Sequence, residues 1–275
     1  MGPWAPLKAP LYLSEDAMNS EYFLYAKDIH KCFGAVQALK GVDFEVACGE
    51  AVGLVGDNGA GKSTLMKILS GALLPDQGEI YIEGKRAHIS SPQDARQYGI
   101  EMVYQDLALA ENLDVPANIF LGREVQHRFK RFNTRVLNRK YMERKTRELL
   151  DSLKIRIPQY RERVRNMSGG QRQAVAIART LLAKAKLVIM DEPTAALGVA
   201  EVEKVLDLIK RLKEHGVAVV FITHRLPHIF AVCDRIVVLR SGERVGERKT
   251  SETTMEEITQ LIVGSKTDLK PEAVK

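Results

Sequence analysis

Nothing in these 275 residues approaches the run of about 18 apolar residues that a membrane-crossing helix requires. The longest dense apolar run, Val217–Ile222, has six residues. Met1–Pro10 holds three prolines and no continuous apolar stretch, so it does not read as a signal peptide. Residues 1–20 are expected to form a flexible extension, and 265–275 a flexible tail. Cysteine is scarce: Cys32, Cys48 and Cys233 are odd in number and far apart. That spacing excludes a disulfide framework and a metal knuckle, and it fits a reducing cytosol. No segment repeats.

What is present suffices for one large core with room for a subdomain: 45% of the residues are hydrophobic. Charge is unevenly spread. Residues 123–147 hold ten lysines and arginines against two glutamates, whereas the whole chain nets only +6. Such a stretch suits nucleic acid, an anionic membrane surface or a protein partner, or it is a solvated helix.

Two glycine-rich turns organise the chain. Gly56-Asp57-Asn58-Gly59-Ala60-Gly61-Lys62-Ser63 matches the P-loop pattern at every fixed position. It lies between an apolar strand-like run, Ala51–Val55, and a helix-like run, Ser63–Leu69, as the pattern requires. Its glycines let backbone amides curl around phosphates, and the helix dipole points at them. Lys62 is placed to reach the β- and γ-phosphates, and Ser63 or Thr64 to offer a hydroxyl to Mg²⁺. The second turn, Ser168-Gly169-Gly170-Gln171, opens a helix with Ala174, Ile177, Ala178, Leu181 and Leu182 on one stripe. One nucleotide needs only one phosphate-grade helix N-terminus, so the second is surplus to a single site.

Strand ends supply the remaining chemistry. Leu187–Met190 reads as a buried parallel strand ending in Asp191-Glu192-Pro193. Ligands of open α/β sheets bind at carboxyl strand ends. Asp191 is placed there to hold Mg²⁺ and Glu192 to act as general base on a water. Val217–Ile222 ends in Thr223-His224, where a neutral imidazole can meet the γ-phosphate. Gln105 follows Met102-Val103-Tyr104; its amide either bridges Mg²⁺ and the attacking water or caps the loop. Elsewhere, Ser91-Pro92 and Gly99 bracket a short helix. Met142, Thr146, Leu149, Leu150 and Leu153 share one helical face, and Val202, Val205, Leu206, Ile209 and Leu212 another. Thr253 and Glu256 have capping-box spacing for a last helix ending near Gly264.

In order and spacing the P-loop, Gln105, Met167-Ser-Gly-Gly-Gln171, Asp191-Glu192 and His224 resemble the nucleotide-binding subunit of an ABC transporter, from about Phe23 to about Gly264. The signature turn is specific to that superfamily; the P-loop alone is shared with many NTPases. The resemblance implies an α/β P-loop NTPase core with a mostly parallel sheet, an N-terminal antiparallel β subdomain and an inserted α-helical subdomain at about 106–180. It implies that Phe33 stacks on adenine, although a core aromatic near a strand end reads the same way. It also implies that ATP lies between the P-loop of one copy and the signature turn of another, so the working unit is a homodimer. The family usually carries an aspartate where this chain has Gly198.

The resemblance further implies an ATPase on the cytoplasmic face of the membrane, peripheral to permease subunits, with no nucleic acid bound. Gly99–Leu113 and Asn118–Glu124 are similar to monosaccharide importers of the ribose, xylose and fructose type, which places a sugar-binding protein indirectly among the partners. A second hypothesis, an ABC-type ATPase on nucleic acid or ribosomes, calls for a coiled-coil insertion or a second cassette. Neither is present.

Overall fold

The computed structural model describes residues 22–104, 107–129, 134–155, 157–195 and 197–264. The readings of residues 1–20, 265–275 and Gln105 lie outside them. The chain begins with β1 (Tyr22–Phe33) and β2 (Val36–Ala47), long strands paired antiparallel, followed by β3 (Ala51–Val55), which is buried throughout. The P-loop leads into α1 (Lys62–Leu69). Next come β4 (Gln77–Ile82) and β5 (Lys85–Ala87), then α2 (Pro92–Gln97), whose N-cap Ser91 accepts from the Asp94 amide. β6 (Ile100–Val103) and α3 (Val115–Ile119) follow.

The basic stretch departs from the helical expectation. It holds a two-stranded hairpin, β7 (Gln126–Phe129) with β8 (Thr134–Leu137), before α4 (Arg139–Ser152). A reason is visible in the composition: the stretch before Asn138 carries Phe129, Phe132, Thr134 and Val136, residues that favour a pleated surface, and lacks the helical apolar period found from Met142 onward. Asn138 then caps α4, accepting from the Tyr141 amide.

The rest alternates: α5 (Gly169–Leu182), β9 (Leu187–Asp191), α6 (Val199–Glu214), β10 (Ala218–Ile222), α7 (Leu226–Val232), β11 (Arg235–Arg240), β12 (Glu243–Lys249) and α8 (Met255–Val263). Two expectations shift here. The cap of α8 is Thr254, whose hydroxyl accepts from the Glu257 amide, while Thr253 donates its hydroxyl to the Glu257 carboxylate. The capping pair is thus one residue later than Thr253 and Glu256. The buried face of α5 also differs from its predicted stripe: Ile177 and Ala178 are buried but Ala174, Leu181 and Leu182 only half-buried, while Gln173, Val175, Ala176 and Thr180 are buried, because the helix lies between the main sheet and the inserted helices.

The main sheet runs β12-β11-β3-β10-β9-β6, with β11, β3, β10, β9 and β6 mutually parallel and β12 an antiparallel edge. The second sheet, β2-β1-β4-β5, is antiparallel. Both faces of the main sheet are covered, so its strands alternate between two cores rather than between core and water. Ala51, Val188, Met190, Val219 and Phe221 face a core shared with α5, α6, α7 and the inserted helices. Val52, Leu54, Leu187, Ile189 and Val220 face a core shared with α1, α2 and the antiparallel sheet.

A charge cluster fastens the two sheets. Arg235, 8% exposed, reaches Glu50 at 2.8 Å, Glu247 at 2.9 Å, Glu45 at 3.2 Å and the Glu45 carbonyl at 2.8 Å. Arg244 adds a second guanidinium to Glu45 at 2.8 Å. Arg235→Met would leave three acids about one remaining arginine. We expect a loss of about 3 kcal/mol, read as a lower urea midpoint at unchanged slope.

Candidate functional site

The parallel strands end together. Val55, Ile222, Asp191 and Val103 close β3, β10, β9 and β6 at one sheet edge. The residues that follow β3, β9 and β10, namely the P-loop, Glu192 and His224, therefore emerge in one place beside Asp191.

The P-loop is built on three left-handed glycines: Gly56, Gly59 and Gly61 have φ of 146°, 83° and 100°. At Gly56 a Cβ would lie 2.1 Å from the Leu239 carbonyl oxygen, and at Gly61 it would lie 2.7 Å from that of Ala38. Ala60 between them is buried, and its carbonyl accepts from the Gly242 amide at 3.2 Å. Asn58, Gly59 and Ser63 are exposed, and Thr64 is half-buried. Lys62 turns back on the loop, donating to the carbonyls of Gly56 at 2.6 Å and Asp57 at 2.9 Å. Partial burial lowers its pKa against the pull of Glu192, Asp191 and Asp57. Ser63 Oγ stands 3.5 Å from Asp191 Oδ2. Burial and the neighbouring Glu192 raise the Asp191 pKa.

Glu192 begins the next turn at φ 49°, in the left-handed region that few side chains adopt without cause. Its amide donates to the Ile222 carbonyl at 2.9 Å. One carboxylate oxygen, Oε1, meets the His224 amide at 3.1 Å and His224 Nδ1 at 3.0 Å. The other, Oε2, is buried without a hydrogen-bond partner among the described residues. An unpartnered buried carboxylate oxygen is costly unless something arrives to use it. Phe33 is 50% exposed at the end of β1, with Lys31 Nζ 5.8 Å from its ring centre, so it is not a core aromatic.

Residues 39–195 match the family described as ABC transporter. The chain belongs to that family. It is 51% identical over 239 residues to a xylose/arabinose import ATP-binding protein of Sulfolobus acidocaldarius, covering 87% of this chain and 93% of that one. A fructose import ATP-binding protein of Rhizobium meliloti is 44% identical, over 90% of this chain and 96% of its own. Against a ribose import ATP-binding protein of Bacillus subtilis, 41% identical over 86% of this chain, it spans only 47% of the relative. Among solved structures, the ADP conformation of MJ1267, an ATP-binding cassette of an ABC transporter, superposes with TM-score 0.73 at 27% identity, covering 89% of this chain and 96% of that chain. A dimeric post-hydrolysis cassette, MJ0796 bound to ADP and Pi, gives 0.67 at 27% identity, covering 82% and 98%.

The ABC cassette's second glycine turn lies apart from the first in its neighbours. Ser168 caps α5, accepting from the Gln171 amide at 3.3 Å, while Gln171 Oε1 accepts from the Ser168 amide at 2.9 Å. This closed capping box holds the turn that precedes Gly169 and Gly170. A Cβ on Gly169 would meet Leu197 at 2.9 Å, and one on Gly170 would meet the Glu201 side chain at 3.2 Å. The P-loop instead packs on Ala38, Leu39, Leu239 and Gly242.

Two contributors escape a motif search. The Gly242 and Leu239 backbone walls the P-loop from the far end of the chain, and a backbone contact leaves no residue-type signal. His228 Nδ1 lies 3.2 Å from the buried Thr194 hydroxyl, joining α7 to the turn after Glu192. Replacement of Gly56 by Ala should lower the melting temperature sharply and abolish binding of a fluorescent ATP analogue, since the added carbon overlaps a carbonyl. Gly59→Ala meets no neighbour within 4 Å among the described residues and should cost only the backbone strain, about 1–2 kcal/mol.

Proposed function

We propose that this chain is the ATP-hydrolysing subunit of a membrane importer for a monosaccharide, and that two copies close around two ATP molecules. The observation that carries this is the pair of glycine-rich helix N-termini, Gly56–Ser63 and Ser168–Gln171, which pack on separate neighbours within one chain. The sugar class rests on the xylose/arabinose and fructose import relatives.

The residues divide the work. In ATP's presence Lys62 exchanges its two carbonyl contacts for the β- and γ-phosphates, a stronger, charge-assisted bond. Ser63, Asp191 and Gln105 are the Mg²⁺ ligands in this reading. Among the described residues no three His, Cys, Asp or Glu side chains cluster as a metal site. One carboxylate and one hydroxyl at 3.5 Å suit an ion that keeps waters and shares the substrate's phosphates. Bound there, Mg²⁺ supplies charge neutralisation to the phosphates. Glu192 is the general base. His224 holds Oε1 from two directions, which leaves Oε2 to take the proton of the attacking water. His224 Nε2 is the contact to the γ-phosphate, and exposed Phe33 stacks on adenine. Ser168, Gly169, Gly170 and Gln171 of the second copy close over the γ-phosphate.

The helical subdomain, about 106–180, is the part that faces the permease. Its groove of about 360 Å³ is lined by apolar residues such as Leu113, Leu121 and Met142 together with the charged Asp114, Arg139 and Glu143. The subunit then works as a peripheral protein on the cytoplasmic face of the membrane, coupled through the permease to a sugar-binding protein. The sugar never meets this chain.

Glu192→Gln keeps the volume of the carboxylate and removes its basicity. ATP binding should persist, turnover should fall by about 100-fold or more, and gel filtration with Mg-ATP should show a dimer. Wild-type turnover in that variant would rule out the base assignment. For the composite site, Ser168→Arg should abolish hydrolysis without weakening ATP binding to the monomer. Mixing it with a Lys62→Ala chain pairs both lesions in one site and frees the other, so partial activity should return.

A further inference from the structure

The surplus helix N-terminus is not bare. Glu201 lies three residues into α6, and its carboxylate spans two turns: Oε2 accepts from the Gly198 amide at 3.3 Å and Oε1 from the Gly170 amide at 3.4 Å. Its stem lies on Gly170 so closely that a Cβ there would sit 3.2 Å from both Glu201 Cβ and Cγ. The amides of Gly198 and Gly170, followed by the Ser168 hydroxyl, hold this carboxyl below the usual glutamate range, so it carries its charge at neutral pH. The room it needs to leave is also present. Among the described residues, an added Cβ at Gly198 would find only Glu201 Oε2, at 3.9 Å.

We propose that Glu201 is an internal stand-in for the γ-phosphate: in the lone chain its carboxylate occupies the Gly170 amide of the signature turn, and it must swing away before a second copy's ATP can dock there. The inference rests on the composite-site reading above. Two anions cannot share one amide at a helix N-terminus, where the dipole and the N–H favour a single negative group. Glu201 therefore weakens ATP-driven closure by the free energy of the contact it gives up. It also keeps the signature turn shaped and neutralised while no nucleotide faces it. Only the Gly170 bond must break. The bond to Gly198 caps α6 and can persist, which makes the exchange a short swing of one side chain.

The test is made in the Glu192→Gln background, where dimers persist, by following dimer formation against ATP concentration in sedimentation velocity. Glu201→Gln keeps an amide oxygen for the Gly198 cap and removes the charge. It should form dimers at about fivefold lower ATP, because two contacts are relieved per dimer. Titration of the monomer with a fluorescent ATP analogue should be unchanged, since Lys62 and Ser63 are untouched. Ser168→Arg in the same background serves as reference. If Ser168→Arg abolishes the dimer while Glu201→Gln leaves the ATP requirement unchanged or higher, the proposal is overturned and the composite site stands. If Ser168→Arg dimerises normally, the composite site itself fails and takes the proposal with it. Glu201→Asp, too short to span both turns, gives an independent check: it should also ease closure, and an unaltered ATP requirement in both variants counts against the stand-in.

Discussion

A parallel sheet buried on both faces can afford polar chemistry only where its strands stop. β3, β9 and β10 carry apolar side chains toward two cores; β9 has its first polar position at its last residue, Asp191, and β3 and β10 have theirs just past their carboxyl ends. That is why Gly56, Glu192 and Thr223-His224, far apart in the chain, begin their turns at one sheet edge, beside the Asp191 that closes β9. The helix starts follow the same logic. α1 begins where β3 has just ended, so its dipole is aimed at the same edge that collects the acids. Lys62 and Asp191 then share one environment. Burial lowers the one pKa and raises the other, and each carries the opposite charge that limits the shift.

Much of this was legible from residue type alone. Fully apolar runs of four and six residues, ending in Asp-Glu and Thr-His, announce strands covered on both faces, and glycine spacing announces the P-loop. The start of α2 is equally plain, because Ser91 stands directly before Pro92 in its first turn. What could not be read was set by contacts distant in sequence. Gly56 must be glycine because of the Leu239 carbonyl, about two thirds of the chain length away. The α5 stripe includes the half-buried Ala174, Leu181 and Leu182 and omits the buried Gln173, Val175, Ala176 and Thr180, since nothing in its own period tells which faces the neighbouring layers cover. The Thr253 cap slipped by one residue because two adjacent threonines both satisfy the pattern, and only the backbone decides between them. The hairpin within 123–147 was hidden by charge, which dominates that stretch and says little about φ and ψ.

Glu192 shows a different limit. Its sequence neighbourhood identifies a carboxylate at a strand end. The inequality of its two oxygens, one held twice by His224 and the other buried without a partner among the described residues, is a property of the turn at φ 49° and of β10 beside it. The asymmetry is what turns an acidic residue into a directed one.

The continuity of the cores has a consequence for how the molecule comes apart. The inserted helices do not own a core. Val115, Ile119, Met142, Leu150 and Val164 belong to the same apolar cluster as Val188, Val219 and Phe221 of the main sheet. On the other side, the antiparallel sheet shares its cluster with Leu54, Ile189 and Val220 of those same central strands. Melting any layer would expose a face of β3, β9 and β10 that only that layer covers. The layers thus behave as one cooperative unit, in which slow amide exchange should extend from the central strands into both flanking layers without a separable step.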